Sequence, residues 1–164
     1  MTELDTILDT LAHHRGFLLH TAAGLSDDDA RRRPTASALS VGGIVKHVAT
    51  VETQWIDFLE RGPEVMAMTP EAMADHSASF ELGAEETLAG AVAHYEQVAA
   101  RTADVLRGLP SLDVGQPLPE APWFEPGAVW SARRVALHIL AETSQHAGHA
   151  DIIRESIDGA RTMG

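Results

Sequence analysis

Val135-Ala136-Leu137-His138-Ile139-Leu140-Ala141-Glu142-Thr143-Ser144-Gln145-His146-Ala147-Gly148-His149 sets four metal-capable side chains at intervals of four, four and three residues. At about 3.6 residues per turn, these intervals put His138, Glu142, His146 and His149 along one face of a helix. The flanking Val135, Ile139, Ile152 and Ile153 predict that this face turns toward a core. Imidazoles and a carboxylate aimed inward need partners, because an unpaired buried polar group is costly. One ion cannot use all four, since His138 and His149 stand about 16 Å apart along the helix axis at 1.5 Å per residue. The pair Glu142 and His146 has the i, i+4 spacing that brings two side chains within chelating distance. His138 with Glu142 has the same spacing, and His146 with His149 is an i, i+3 alternative.

The rest of the chain sets limits on that chemistry. Its 164 residues fit one domain, 1–164, with enough chain to bury a core. Cysteine is absent, so any metal must be held by nitrogen and oxygen. The net charge of -12 opposes a nucleic-acid partner, whose phosphates call for basic surface. No apolar run approaches the roughly 20 residues of a membrane span. The first residues (Met1, Thr2, Glu3, Leu4, Asp5) lack the basic-then-apolar order of a signal peptide. The expectation is a cytoplasmic globular protein with no nucleic-acid or membrane partner.

Apolar periodicity predicts four long helices. Leu4, Ile7, Leu8, Leu11, Arg15, Leu18, Leu19 and Ala22 mark the first, which ends near Gly24. Ser26 with Asp27, Asp28 and Asp29 is a helix-start signal opening a short linker piece. Ser40 caps a second helix through about Arg61, with Ile44, Val48, Val51, Trp55 and Phe58 facing inward. Leu88 to Leu109 form the third, and Ser131 caps the fourth, which runs through Ile157 to a stop at Gly159. Residues 63–83 and 110–130 are rich in proline or methionine and read as long connections with no strand signal. Met66, Met68 and Met73 in the first, and Trp123, Phe124 and Trp130 in the second, are candidates to line or lid a site. His13, His14 and His94 read as solvated. The sum is an all-α four-helix bundle in which at least one connection crosses over.

His47 shares the inward stripe of the second helix, three residues after Ile44 and four before Val51. It can add a third ligand to Glu142 and His146, in the way bundle cores build metal sites from facing helices. Three protein ligands with a position left over is the arrangement of a catalytic centre, not a structural one. The donor set suits zinc first, and also nickel, iron or manganese. A hydrogen-bonded core network or a dimer face would equally account for inward polar residues.

Two segments carry a family resemblance. Ser40-Val41-Gly42-Gly43-Ile44-Val45-Lys46-His47-Val48-Ala49-Thr50-Val51-Glu52, with Trp55, resembles the second helix of the DinB-like superfamily, and Leu137 to Asp151 resembles its fourth. The resemblance implies a four-helix bundle in up-down-down-up order. It also implies a divalent metal held by His47, Glu142 and His146, with His149 and His138 as supporting residues. Glutamate at position 142, where many members carry histidine, resembles mycothiol-dependent maleylpyruvate isomerase; His138 is common in the most similar actinobacterial-type subfamily, mostly of undefined activity. Characterised relatives are thiol S-transferases and isomerases that use mycothiol or bacillithiol. By that resemblance the metal holds a low-molecular-weight thiol cosubstrate as thiolate, for attack on a small electrophile. A homodimer fits the family but no sequence feature here encodes it. The alternatives are a metal-dependent hydrolase, with His149 or His138 moving protons, and a non-enzymatic metal- or ligand-binding stress-response bundle.

Overall fold

A serine or threonine opens every α-helix of this chain, its hydroxyl accepting the amide three residues on: Thr2 from Asp5, Ser26 from Asp29, Ser40 from Gly43, Thr69 from Ala72, Thr87 from Gly90 and Ser131 from Arg134. The computed structural model describes residues 1–162. The helices are α1 (Glu3–Ala22), α2 (Asp27–Arg31), α3 (Val41–Arg61), α4 (Pro70–Ser79), α5 (Leu88–Gly108) and α6 (Ala132–Asp158), with a 3-10 turn at Pro63–Met66. Gly159, at φ 81°, ends α6 in the left-handed conformation that a side chain disfavours.

The four long helices α1, α3, α5 and α6 form the bundle. Glu3 pairs with Arg133, and Arg154 donates to the carbonyls of Thr21 and Ala23, so α1 and α6 run parallel. His47 lies beside His146 and Trp55 beside His138, so α3 runs against α6. Phe58 and Leu106 share one end of the core, Ile44 and Leu88 the other, so α5 runs with α3. The order is up-down-down-up, and residues 62–87 make the crossover that a parallel α3–α5 pair requires.

Three expectations need correction. The connection after α3 contains a ten-residue helix, α4, where the sequence read as a long connection. It is largely exposed and short of apolar residues, so periodicity could not reveal it; Thr69 as cap and Pro70 in the first turn do. The connection after α5 carries a two-stranded antiparallel ribbon, β1 (Gly115–Pro117) with β2 (Val129–Ser131), pairing Gln116 with Trp130. Three-residue strands are too short to alternate visibly. Ile152 is 62% exposed, whereas Val135, Ile139 and Ile153 are buried.

A polar network ties the bundle together at mid-height. Arg15 of α1 forms a two-pronged ion pair with Glu52 of α3, and Thr102 of α5 donates to the same carboxylate. Tyr95 of α5 lies under the Arg15 guanidinium, its hydroxyl 3.5 Å from Thr143 Oγ1 on α6. All five are buried. Burial, and then the Glu52 charge, push the Tyr95 phenol up to about 12. Because the fold favours the neutral phenol, that stabilisation is full below about pH 10 and is lost as pH rises toward 12. Tyr95 is the only tyrosine, so phenolate absorbance reports it alone. The expected midpoint is near 12, or coincident with alkaline unfolding; a midpoint at the ordinary value in folded protein would contradict the burial.

Candidate metal centre

Ile44, Val48 and Val51 bury one stripe of α3, and His47 is carried inward with them. On α6, Ile139, Thr143 and Ala150 are buried, and the i, i+4 step brings Glu142 and His146 to the facing wall. One donor atom from each of His47, Glu142 and His146 lies within 4.8 Å of the others. Glu142 Oε2 is 3.6 Å from His146 Nε2. Ligand bonds of about 2.0–2.2 Å require donors to draw in somewhat closer than this, which side-chain rotation supplies.

The crossover completes the surroundings of His47. Ser79, the last residue of α4, donates its single hydroxyl proton to the His76 carbonyl, 2.6 Å away. Its oxygen, 2.9 Å from His47 Nδ1, must therefore accept from that nitrogen. With the proton on Nδ1, the lone pair of His47 sits on Nε2, which leaves that nitrogen free to ligate. Phe80 stacks on the same ring, centroids 3.6 Å apart and 20° from coplanar. Gly43 makes this approach feasible, because a Cβ there would come within 1.9 Å of the Phe80 carbonyl oxygen. His146 has no such hydrogen bond: its Nδ1 is buried and unpartnered, and its ring packs edge-on to His47 and His149.

Electrostatics keep this donor set in the forms a metal uses. Burial first, then repulsion from His146 and His76, lower His47 to about 4, so its ring is neutral at physiological pH. The adjacent His146 ring first, then His138 and His47, hold the Glu142 carboxyl below its usual range, and it is ionised. A neutral His47 oriented by a hydroxyl, the His146 ring and one carboxylate fit a divalent ion of the zinc type.

A cavity of about 650 Å³ opens onto the three donors. Its walls include Trp55 of α3, Met66 and Met68 after α3, His76 of α4, and Trp123 and Phe124 of the proline-rich loop. The methionine-rich and aromatic connections thus do line a site. Trp55 is both a core residue and a cavity wall, stacked on Trp130 at 4.7 Å. His138 lines the cavity with Nε2 3.9 Å from Glu142 Oε1, and burial lowers its pKa. His149 sits beside His146 and is not part of the cavity wall. Among the described residues no cluster of donors other than His47, Glu142 and His146 meets the same closeness. Ser79, Phe80 and His76 escaped the sequence reading because they lie in a segment with no inward periodicity.

Residues 6–159 match the family described as mycothiol-S-transferase. The chain belongs to that family. It is a DinB-like family, in agreement with the resemblance carried by the α3 and α6 segments. No curated protein matches this member of the mycothiol S-transferase family. The fold is similar to the crystal structure of a conserved protein from Enterococcus faecalis, at a TM-score of 0.63 and 14% identity, covering 98% of this chain and 99% of that one. At that identity the likeness speaks for the fold alone. None of the described helices is long and apolar enough to cross a membrane.

Ser79 gives this centre a local test. Ser79→Ala is expected to weaken zinc binding about 10–100-fold, the usual cost of losing a hydrogen bond that orients a ligand. Nitrogen NMR of the metal-free imidazole should change from the Nδ1–H tautomer to a mixture. Unchanged affinity together with an unchanged tautomer would remove Ser79 from this role.

Proposed function

We propose that this chain is a divalent-metal-dependent mycothiol S-transferase, with His47, Glu142 and His146 holding the ion and zinc the first candidate. The observation that carries the reading is the three-donor cluster facing a large cavity, in a chain of this family. When bound, the metal supplies the Lewis acidity that keeps a thiol as thiolate near neutral pH. Glu142 contributes the one carboxylate of the set. Ser79 orients the His47 ring, and the loop aromatics and methionines line the cavity. His138 lines the cavity with its pKa lowered by burial, and we assign it as acceptor of the thiol proton. A reduced small thiol as cosubstrate puts the enzyme in the cytoplasm.

Titration calorimetry of zinc-loaded protein with mycothiol tests this reading, followed by thiol consumption with an electrophile. The expected result is saturable thiol binding that disappears on chelation. Metal-loaded protein with no thiol affinity would sink the transferase, and thiol-independent cleavage of ester or amide probes would assign the cavity to hydrolysis.

A further inference from the structure

The charge of the cavity wall is uneven in a way that constrains the second substrate. Beside the three donors, the wall includes Trp55, Met66, Met68, Met73, Trp123 and Phe124, with Gln54, Ser77 and Gln145 as its uncharged polar groups. Glu142 is the only aspartate, glutamate, lysine or arginine among the cavity-lining residues. The cations of the neighbouring helices are engaged elsewhere. Lys46 binds the Glu86 carboxylate and the Glu81 carbonyl, and Arg134 lies over the Trp130 ring. A carboxylate entering this space would meet the Glu142 charge and find no lysine or arginine in the wall.

Resting on the transferase reading, we infer that the electrophile is an uncharged, largely apolar small molecule, and that dicarboxylates of the maleyl type are excluded. A divalent ion does not alter this balance. Its two positive charges are offset by one from Glu142 and one from the thiolate, which leaves nothing for a dianion. Methionines and aromatics supply instead an adaptable apolar surface suited to flat unsaturated or aromatic molecules. For an activated alkene, the thiolate sulfur forms a bond to the β-carbon, and the π pair moves to the α-carbon, which takes a proton. Nothing leaves and no oxidant or reductant is needed. The preference runs against the substrate type that glutamate at position 142 suggested from resemblance to maleylpyruvate isomerase.

The test uses matched probes in two arms. In the first, zinc-loaded protein and mycothiol act on diethyl maleate or on maleate, each rate divided by its uncatalysed rate at the same thiol concentration. The expected ratio favours the diester by about 100-fold or more, equal to roughly two decades in specificity. In the second, metal-free protein at about pH 8 is titrated with diethyl phthalate or phthalate, read by quenching of the cavity tryptophans. The diester should bind and the dianion should not. Met68 is 51% exposed, so Met68→Arg should fold, and it is expected to raise phthalate affinity at least tenfold while Met68→Leu does not. Equal acceleration of maleate and its diester, or equal binding of phthalate and its diester, would overturn the inference. No turnover of either maleate probe, with diester-selective binding retained, would sink the transferase reading and leave the ligand class standing.

Discussion

Replacing His47 with alanine is expected to leave the purified protein with less than about a tenth of the metal carried by the parent. The reason is positional. Glu142 and His146 both come from α6, so the only donor of the set from a second helix is His47. Without it the ion would be held by two groups four residues apart on one helix surface. The loss in affinity should exceed the roughly 100-fold that removal of an orienting hydrogen bond produces. Thiol binding should be lost in parallel. His47 is buried between Phe80 and His146, so the alanine variant also opens a void. Glu142→Gln, which keeps side-chain volume, therefore serves as the second variant and should also lose metal. Elemental analysis of the three proteins decides the matter, and metal retained in full without His47 would remove the proposed centre.

Replacing Glu52 with alanine is expected to cost about 3–5 kcal/mol of stability, the usual consequence of leaving one member of a buried ion pair unpaired. Arg15 would keep its charge in the middle of the bundle, and Thr102 would lose the acceptor of its hydroxyl proton. Urea unfolding should show a lower midpoint with little change in slope. The double variant Arg15→Met with Glu52→Leu separates stability from the need for pairing. It is expected to unfold within about 1 kcal/mol of the parent or above it, since apolar replacement of a whole buried pair is often neutral or stabilising. A single Glu52 variant costing less than about 1 kcal/mol would show that the carboxylate is not closed off from water.

The approach of His47, Glu142 and His146 was legible in sequence through helical geometry, although spacing alone also allowed His138 with Glu142 and His146 with His149. An i, i+4 step on α6 and a shared stripe with Ile44 and Val51 on α3 leave little freedom in where Glu142, His146 and His47 point. The four long helices were legible for the same reason, and their caps at Ser40 and Ser131 stand where the hydroxyl residues foretold. What escaped notice has no period. Ser79 reaches His47 across 32 positions of chain, and Phe80 does so through a carbonyl seated against Gly43. In sequence, Gly43 is one of two small residues at a helix start, and nothing beside it names its tertiary partner. The buried Arg15–Glu52 pair shows the same limit. Arg15 was visible on the inward face of α1, but the charge that permits its burial lies 37 residues away.

The crossover between α3 and α5 has a consequence for how such a protein can change over time. A parallel pair of neighbouring helices obliges the chain to return along the whole length of the bundle. Here the return segment, residues 62–87, supplies Met66, Met68 and His76 to the cavity and Ser79 to the His47 ring. The donors themselves sit on helices whose packing does not depend on how long that return is. Lengthening, shortening or rewriting residues 63–77 can therefore alter what the cavity admits, while Ser79, Phe80 and Gly43 keep the last turn docked. A large part of the cavity wall and the three candidate donors are thus carried on different stretches of chain, and one can drift while the other is held.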